Sequence, residues 1–305
     1  MPPPLRADRI RDAGNSPQRL RHLGALAFQA LIAEAELTPK PGLVDRRGSG
    51  AHSDLSLDLM RRSARVLEPF FADMASAAEG RVPDRDLREE LAAIGRDAER
   101  AMYKATEGAN SHKGAIWILG LLVAAAARKD DQKAREIVAA AGAIARFPDR
   151  GGLKLMTHGD IVRDRYGAGG ARGEACHGFP HLMQLGLPTL RKQRKAGFPE
   201  EVCRLDALLA IMSRLDDTCL LYRGGTDALD VAKPRARAVL LAGGCGSSRG
   251  RIEASDLDRE LSARRISPGG SADLLAATIF LDAVERRQSE ISSDKSKWEG
   301  TDGKT

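Results

Sequence analysis

Carboxylates placed where apolar side chains should stand are the first chemical signal in this 305-residue chain. After Ser16-Pro17, an N-cap and first-turn pair, Leu20, Leu23, Ala27 and Leu31 recur at helical spacing, and the next position of that stripe is Glu34. A carboxylate on an apolar face needs a partner, a metal or the edge of a cavity, because burying it alone is costly. A helix-end glutamate reaching solvent is the alternative. Residues 199–223, read as one helix, repeat the pattern with Leu205, Leu208, Leu209 and Met212, followed by Asp216, Cys219 and Arg223. Asp216 is therefore expected on the inward face and Asp217 about 100° away. Such a pair suits Mg²⁺ or general-base work, with Arg223-Gly224-Gly225 ending the helix at a phosphate contact. The competing account is a buried Asp216–Arg223 ion pair, which two helical turns of separation would strain.

Two further stretches suit anions. Asn110-Ser111-His112-Lys113-Gly114 precedes the apolar run Ala115–Ala127. That run is apolar on every side, as expected of a helix buried among other helices, with Asn110 or Ser111 as N-cap. Free N–H groups, the helix dipole, Lys113 and the bare backbone of Gly114 together make a phosphate seat, an ordinary capped core helix being the alternative. Thr38-Pro39-Lys40-Pro41-Gly42 presents Lys40, and then Asp45, from a stiff loop. Further on, glycine density rises around Thr157-His158-Gly159-Asp160 and Gly169-Gly170-Ala171-Arg172-Gly173-Glu174. The second of these opens a helix, so Arg172 and Glu174 are expected near a positive dipole end. Glu174 is a catalytic candidate there, with structural pairing to that end as the alternative. Cys176-His177 is weak ground for a zinc site, since adjacent side chains on a helix diverge.

The elements that must position these residues are helical. Hydrophobic content is 42% with few aromatics, and no run of alternating β-branched residues marks a strand. The expected fold is all-α: one multi-helix domain over residues 16–288 around a buried central helix, with disordered tails at 1–15 and 289–305. Asp54 is expected to cap a long helix with the stripe Leu55, Leu59, Val66, Phe70 and Met74, kinked at Pro69. Residues 84–106 carry Leu87, Leu91, Ile94, Ala98 and Met102 as scaffold. Helices are also expected over 131–146 and 226–242, from Ser255, and from about Leu274 to Val284. The net charge of +6 belongs to the folded part, because the tails nearly cancel. It suits an anionic ligand and is too scattered for nucleic acid. The central run is too short to span a bilayer, and four cysteines without paired spacing or a signal segment fit reduced thiols in the cytoplasm.

These blocks resemble one family, the triphosphoribosyl-dephospho-CoA synthases. TPKPGLVDRRGSGAH (38–52), NSHKGAI (110–116), THGD (157–160), GGARGEA (169–175), LDDTCLLYRGG (215–225) and ISPGGSADLLAATIFLD (266–282) arrive in family order across nearly the whole chain. The wording of the LDDTC, RGG and RRGSGAH stretches is more similar to the branch serving malonate decarboxylase than to the citrate lyase branch. The resemblance implies transfer of the 5-triphosphoribosyl group of ATP to the 2′-hydroxyl of 3′-dephospho-CoA, with release of adenine. The product is a prosthetic-group precursor, handed on to a transferase for an acyl-carrier subunit. On this view Lys40, Lys113, Arg172 and Arg223 hold phosphates, with His158, Gly114 and Gly224 also lining the nucleotide site. Asp216 is the base, Asp217 with Asp45 or Glu34 holds Mg²⁺, and neutral His112 bonds adenine or a phosphate. A metal-dependent all-α phosphohydrolase using His112, His158, Asp160 and Asp216 is the rival reading, and a non-catalytic helical adaptor a third.

Overall fold

The computed structural model describes residues 16–151 and 156–299, which fold as one all-α domain without a strand among them. The helices are α1 (Ser16–Ala35), α2 (Leu57–Ala78), α3 (Arg85–Ala105), α4 (Lys113–Ala127), α5 (Ala134–Arg146), α6 (His158–Tyr166) and α7 (Gly170–Cys176). A π-helical turn (Leu182–Gly186) leads into α8 (Leu187–Lys195), followed by α9 (Glu200–Met212), α10 (Thr218–Leu241), α11 (Ser248–Ala263) and α12 (Gly269–Glu299). The centre is α4. From Ala115 to Ala127 only Trp117 is less than fully buried, and α4 packs against α1, α2, α3, α5, α7 and α12, so an all-apolar sequence is what its position demands. The central-helix expectation holds, but the N-cap is His112, and Asn110 Oδ1 accepts from the Lys113 N–H one step inside.

Around α4, α3 follows the expected stripe, capped by Asp84, with Leu87, Leu91, Ala98 and Met102 buried. In α2 the core face is Met60, Ala64, Leu67, Phe71, Met74 and Ala78, so the expected stripe is out of phase, meeting it only at Met74. Its cap is Ser56, whose hydroxyl accepts from the Leu59 N–H, in place of Asp54, and the helix continues through Pro69. The largest correction concerns residues 199–223. They are two helices, because α9 ends at Met212 and α10 starts afresh at Thr218, with Asp217 as its N-cap. Nor does α10 end at Arg223-Gly224-Gly225. Gly225 alone leaves helical geometry (φ 63°, ψ −156°), and the chain resumes as helix to Leu241. The helix expected from Ser255 begins at Ser248 behind the Ser247 cap. The backbone of α12 is helical to Glu299, overlapping the tail expected from 289, whereas the tail expected at 1–15 lies outside the described residues.

Candidate active site

Three helix N-termini are tied together by two carboxylates. Asp217 caps its own helix by accepting from the Cys219 N–H (2.9 Å), and it also accepts the N–H groups of Gly270 and Ser271 and the Ser271 hydroxyl at the start of α12 (3.2, 2.7 and 2.8 Å). Four donors hold a side chain that is 1% exposed. Burial raises its proton affinity, and those hydrogen bonds pull the other way. One turn further along α12, Asp273 lies against the first turn of α4 and receives the Ala115 N–H. The packing is tight: a β-carbon on Gly114 would overlap the Asp273 carboxylate, lying 3.1 Å from its Cγ. Burial, then Glu34, then Asp217 raise the Asp273 pKa well above the usual carboxylate range. A carboxyl whose proton affinity is raised is better placed to give up a proton to a leaving group than an ordinary carboxylate is.

Glu34 faces inward, as the α1 stripe requires, and finds a partner: Lys40 Nζ lies 2.6 Å from its Oε1. Lys40 is therefore not presented to solvent, being 1% exposed in a buried ion pair. Asp45 holds the loop that carries it, accepting from the Lys40 N–H (2.9 Å), the Arg47 N–H (2.8 Å) and the Arg47 guanidinium (2.7 Å). The charge of Lys40 is felt by two histidines. His112 is fully buried, Nδ1 lies 2.7 Å from the Ser63 hydroxyl, and Nε2 has no partner among the described residues. Burial first and Lys40 second lower its pKa to about 3, so it is neutral, as expected. His52, absent from the sequence-based candidates, bonds Ser267 Oγ through Nε2 (2.9 Å), and its Nδ1 accepts from Arg223 (3.2 Å). Burial and Arg223 hold its pKa down at about 4.

Other candidates lie elsewhere. Asp216 is exposed and pairs with Lys233 at 2.7 Å, because the loop between α9 and α10 resets the helical phase and turns Asp217 inward instead. The Asp216–Arg223 ion pair is likewise not formed. Lys113 turns to Glu99 on α3 (3.0 Å), away from Asp273. Glu174 is buried and bonds His181 (2.5 Å) instead of a helix end, raising the His181 pKa, while Arg172 is exposed. Gly224 backs onto Ile266. His158 is exposed and stacks on Tyr222, the neighbour of Arg223, with ring centroids 3.8 Å apart.

The carboxylates assigned to Mg²⁺, Glu34, Asp45 and Asp217, do not fit a protein-held ion, since each already accepts from cationic or N–H donors. No group of three His, Cys, Asp or Glu among the described residues is placed to hold a metal. The phosphohydrolase cluster is not assembled either, because Asp160 closes the capping box of α6 with Thr157 and Asp216 faces solvent. Cys176 and His177 bond separate backbone carbonyls, Ala145 and Gly173, and the four cysteines are free thiols. No helix among the described residues is long and apolar enough to cross a membrane.

The fold and the site together define an all-α protein in which Asp217 and Asp273 gather where three helix N-termini meet. The chain belongs to the ATP:dephospho-CoA triphosphoribosyl transferase family, whose model matches residues 20–292. It is 54% identical over 275 residues to a protein of Stutzerimonas stutzeri (strain A1501), covering 89% of this chain and 94% of that one. It is 55% identical over 265 residues to one of Pseudomonas aeruginosa (strain UCBPP-PA14), covering 86% and 90%. Over 272 residues it is 52% identical to one of Azotobacter vinelandii, covering 88% and 93%. Each of the three is named "Probable 2-(5''-triphosphoribosyl)-3'-dephosphocoenzyme-A synthase". No solved structure matches.

Proposed function

We propose that the chain transfers the triphosphoribosyl group of ATP to the 2′-hydroxyl of 3′-dephospho-CoA at the junction of α4, α10 and α12. The observation that carries this is that Glu34 and Asp217 both act on the Asp273 carboxyl at the first turn of α4, the helix whose N-cap, His112, has a buried ring nitrogen with no partner among the described residues. Two carboxylates that raise the proton affinity of a third weaken a fold, so a ligand role accounts for Asp273 better than packing does. In the reaction the bond from the ribose C1′ to adenine breaks and its electron pair leaves with adenine. The 2′-oxygen of dephospho-CoA bonds to C1′ and releases its proton to solvent, which offsets the proton that adenine takes up. Asp273 is the group proposed to give adenine its proton. The negative potential of Glu34 and Asp217 favours the oxocarbenium-like charge at C1′, and His112 Nε2 bonds the substrate. Arg223, exposed and held by His52, meets the triphosphate, which brings Mg²⁺ as part of the ATP complex. The exposed His158–Tyr222 stack offers adenine an aromatic face.

The RRGSGAH, LDDTC and RGG wording supports a product destined, through a downstream transferase, for the acyl-carrier subunit of a malonate decarboxylase in the cytoplasm. Two assays test these readings. Asp273→Asn should lower adenine release by about 10² or more, the scale of a lost acid or base; unchanged release removes Asp273 from the chemistry. Supplying the product to purified acyl-carrier subunits with their transferase should load the malonate decarboxylase subunit, and loading of the citrate lyase subunit alone would reassign the branch.

A further inference from the structure

A cavity of about 140 Å³ lies between α2, α3 and α4, on the α3 side of the central helix. Arg88 enters it only 7% exposed, its side chain forms no ion pair or hydrogen bond among the described residues, and its Nε is buried without a partner. Its guanidinium lies 4.5 Å from the centroid of the Trp117 ring, whose indole N–H is also buried and unpartnered. The acids on the wall are already engaged: Glu99 by Lys113 at 3.0 Å and Asp149 by Arg96 at 2.7 Å. A buried guanidinium with no carboxylate of its own is costly, and burial, with Arg172 and Arg96 nearby, lowers the Arg88 pKa despite the opposing pull of Asp149. The rest of the lining is apolar, chiefly Met74, Leu91 and Leu121.

We propose that this cavity is a binding site for a short organic carboxylate, its head held by the Arg88 guanidinium and its tail against Met74 and Leu91. The chemistry selects that class. A planar fork of N–H donors matches a carboxylate bidentately. A volume near 150 Å³ holds a molecule the size of benzene, so about six non-hydrogen atoms fit. Phosphate would carry more charge than one guanidinium balances and would leave the apolar wall without a tail to cover it.

The test uses the purified full-length chain and butyrate, with butyramide and inorganic phosphate as comparison probes, read by titration calorimetry and by melting temperature. Butyrate should bind once per chain and raise the melting temperature, and butyramide should not. Arg88→Met should weaken butyrate binding at least tenfold. Gly95→Leu should do the same by filling the cavity, since a β-carbon at Gly95 meets only Met74 Cε, at 3.8 Å. If the folded wild type binds no butyrate, or binds phosphate in its place, the proposal is wrong. A higher melting temperature for Arg88→Met, with no butyrate binding by the wild type, would identify Arg88 as a core cation stacked on Trp117 and nothing more.

Discussion

Gly114→Ala places one methyl group into the contact that joins α4 to Asp273. The new β-carbon would overlap the Asp273 carboxylate and lie 3.1 Å from its Cγ, so the carboxylate must move by something near an ångström. Overpacking of this kind costs roughly 1–3 kcal/mol. Replacing a helical glycine returns about 1 kcal/mol, leaving a net loss of about 0–2 kcal/mol. That corresponds to a fall of a few degrees in melting temperature. The effect on turnover should be far larger, because a displacement of about 1 Å at a reacting group can cost about 10²-fold. Adenine release and melting temperature measured on one preparation separate the two effects, with Gly95→Ala as the control for helix propensity. That control, where the new methyl makes ordinary contact with Met74, should gain about 0.5–1 kcal/mol. A Gly114→Ala protein with wild-type turnover would show that the position of Asp273 is irrelevant to the chemistry.

Other outcomes follow from the same geometry. Lys40→Met leaves Glu34 buried without its partner and should destabilise by roughly 3–5 kcal/mol, whereas adding Glu34→Leu should restore stability and not activity; thermal melts of the single and double variants check this. Asp216→Asn breaks only an exposed pair with Lys233, so stability should change by less than about 1 kcal/mol and turnover by little, measured by melting and by adenine release. Because His112 and His52 resist protonation until about pH 3 and about pH 4, the unfolded chain binds more protons below pH 6.5, and stability should fall as pH drops through that window. Each histidine contributes a slope of up to about 1.4 kcal/mol per pH unit, and the raised pKa of Asp273 acts in the opposite sense. Urea denaturation at several pH values, wild type against His112→Gln, should show a shallower slope in the variant.

What could be read from the residues alone divides along physical lines. Periodicity located α4 and the α3 stripe and turned Glu34 inward, because those segments are uninterrupted helices. It failed at Asp216 and Asp217, where five residues of loop reset the phase. The signal was present, since an aspartate directly before Thr218 is an N-cap signature that outweighs a stripe carried across a break. Asp273 was missed for another reason. It shares a face with Ala276, Ala277, Phe280 and Val284, all buried, and the test applied to Glu34 would have selected it. Lys40, by contrast, lay beyond any local rule, because its partner and its burial depend on how the loop folds back over the end of α1. The same holds for His52, whose contacts with Ser267 and Arg223 join segments far apart in the chain.

The central claim is tested most directly by incubating the purified protein with ATP, Mg²⁺ and 3′-dephospho-CoA and resolving the products by chromatography. The account predicts free adenine in step with consumption of dephospho-CoA, none when dephospho-CoA is omitted, and release slowed by about 10² or more when Asp273 is replaced by Asn. ADP and phosphate without adenine would contradict it.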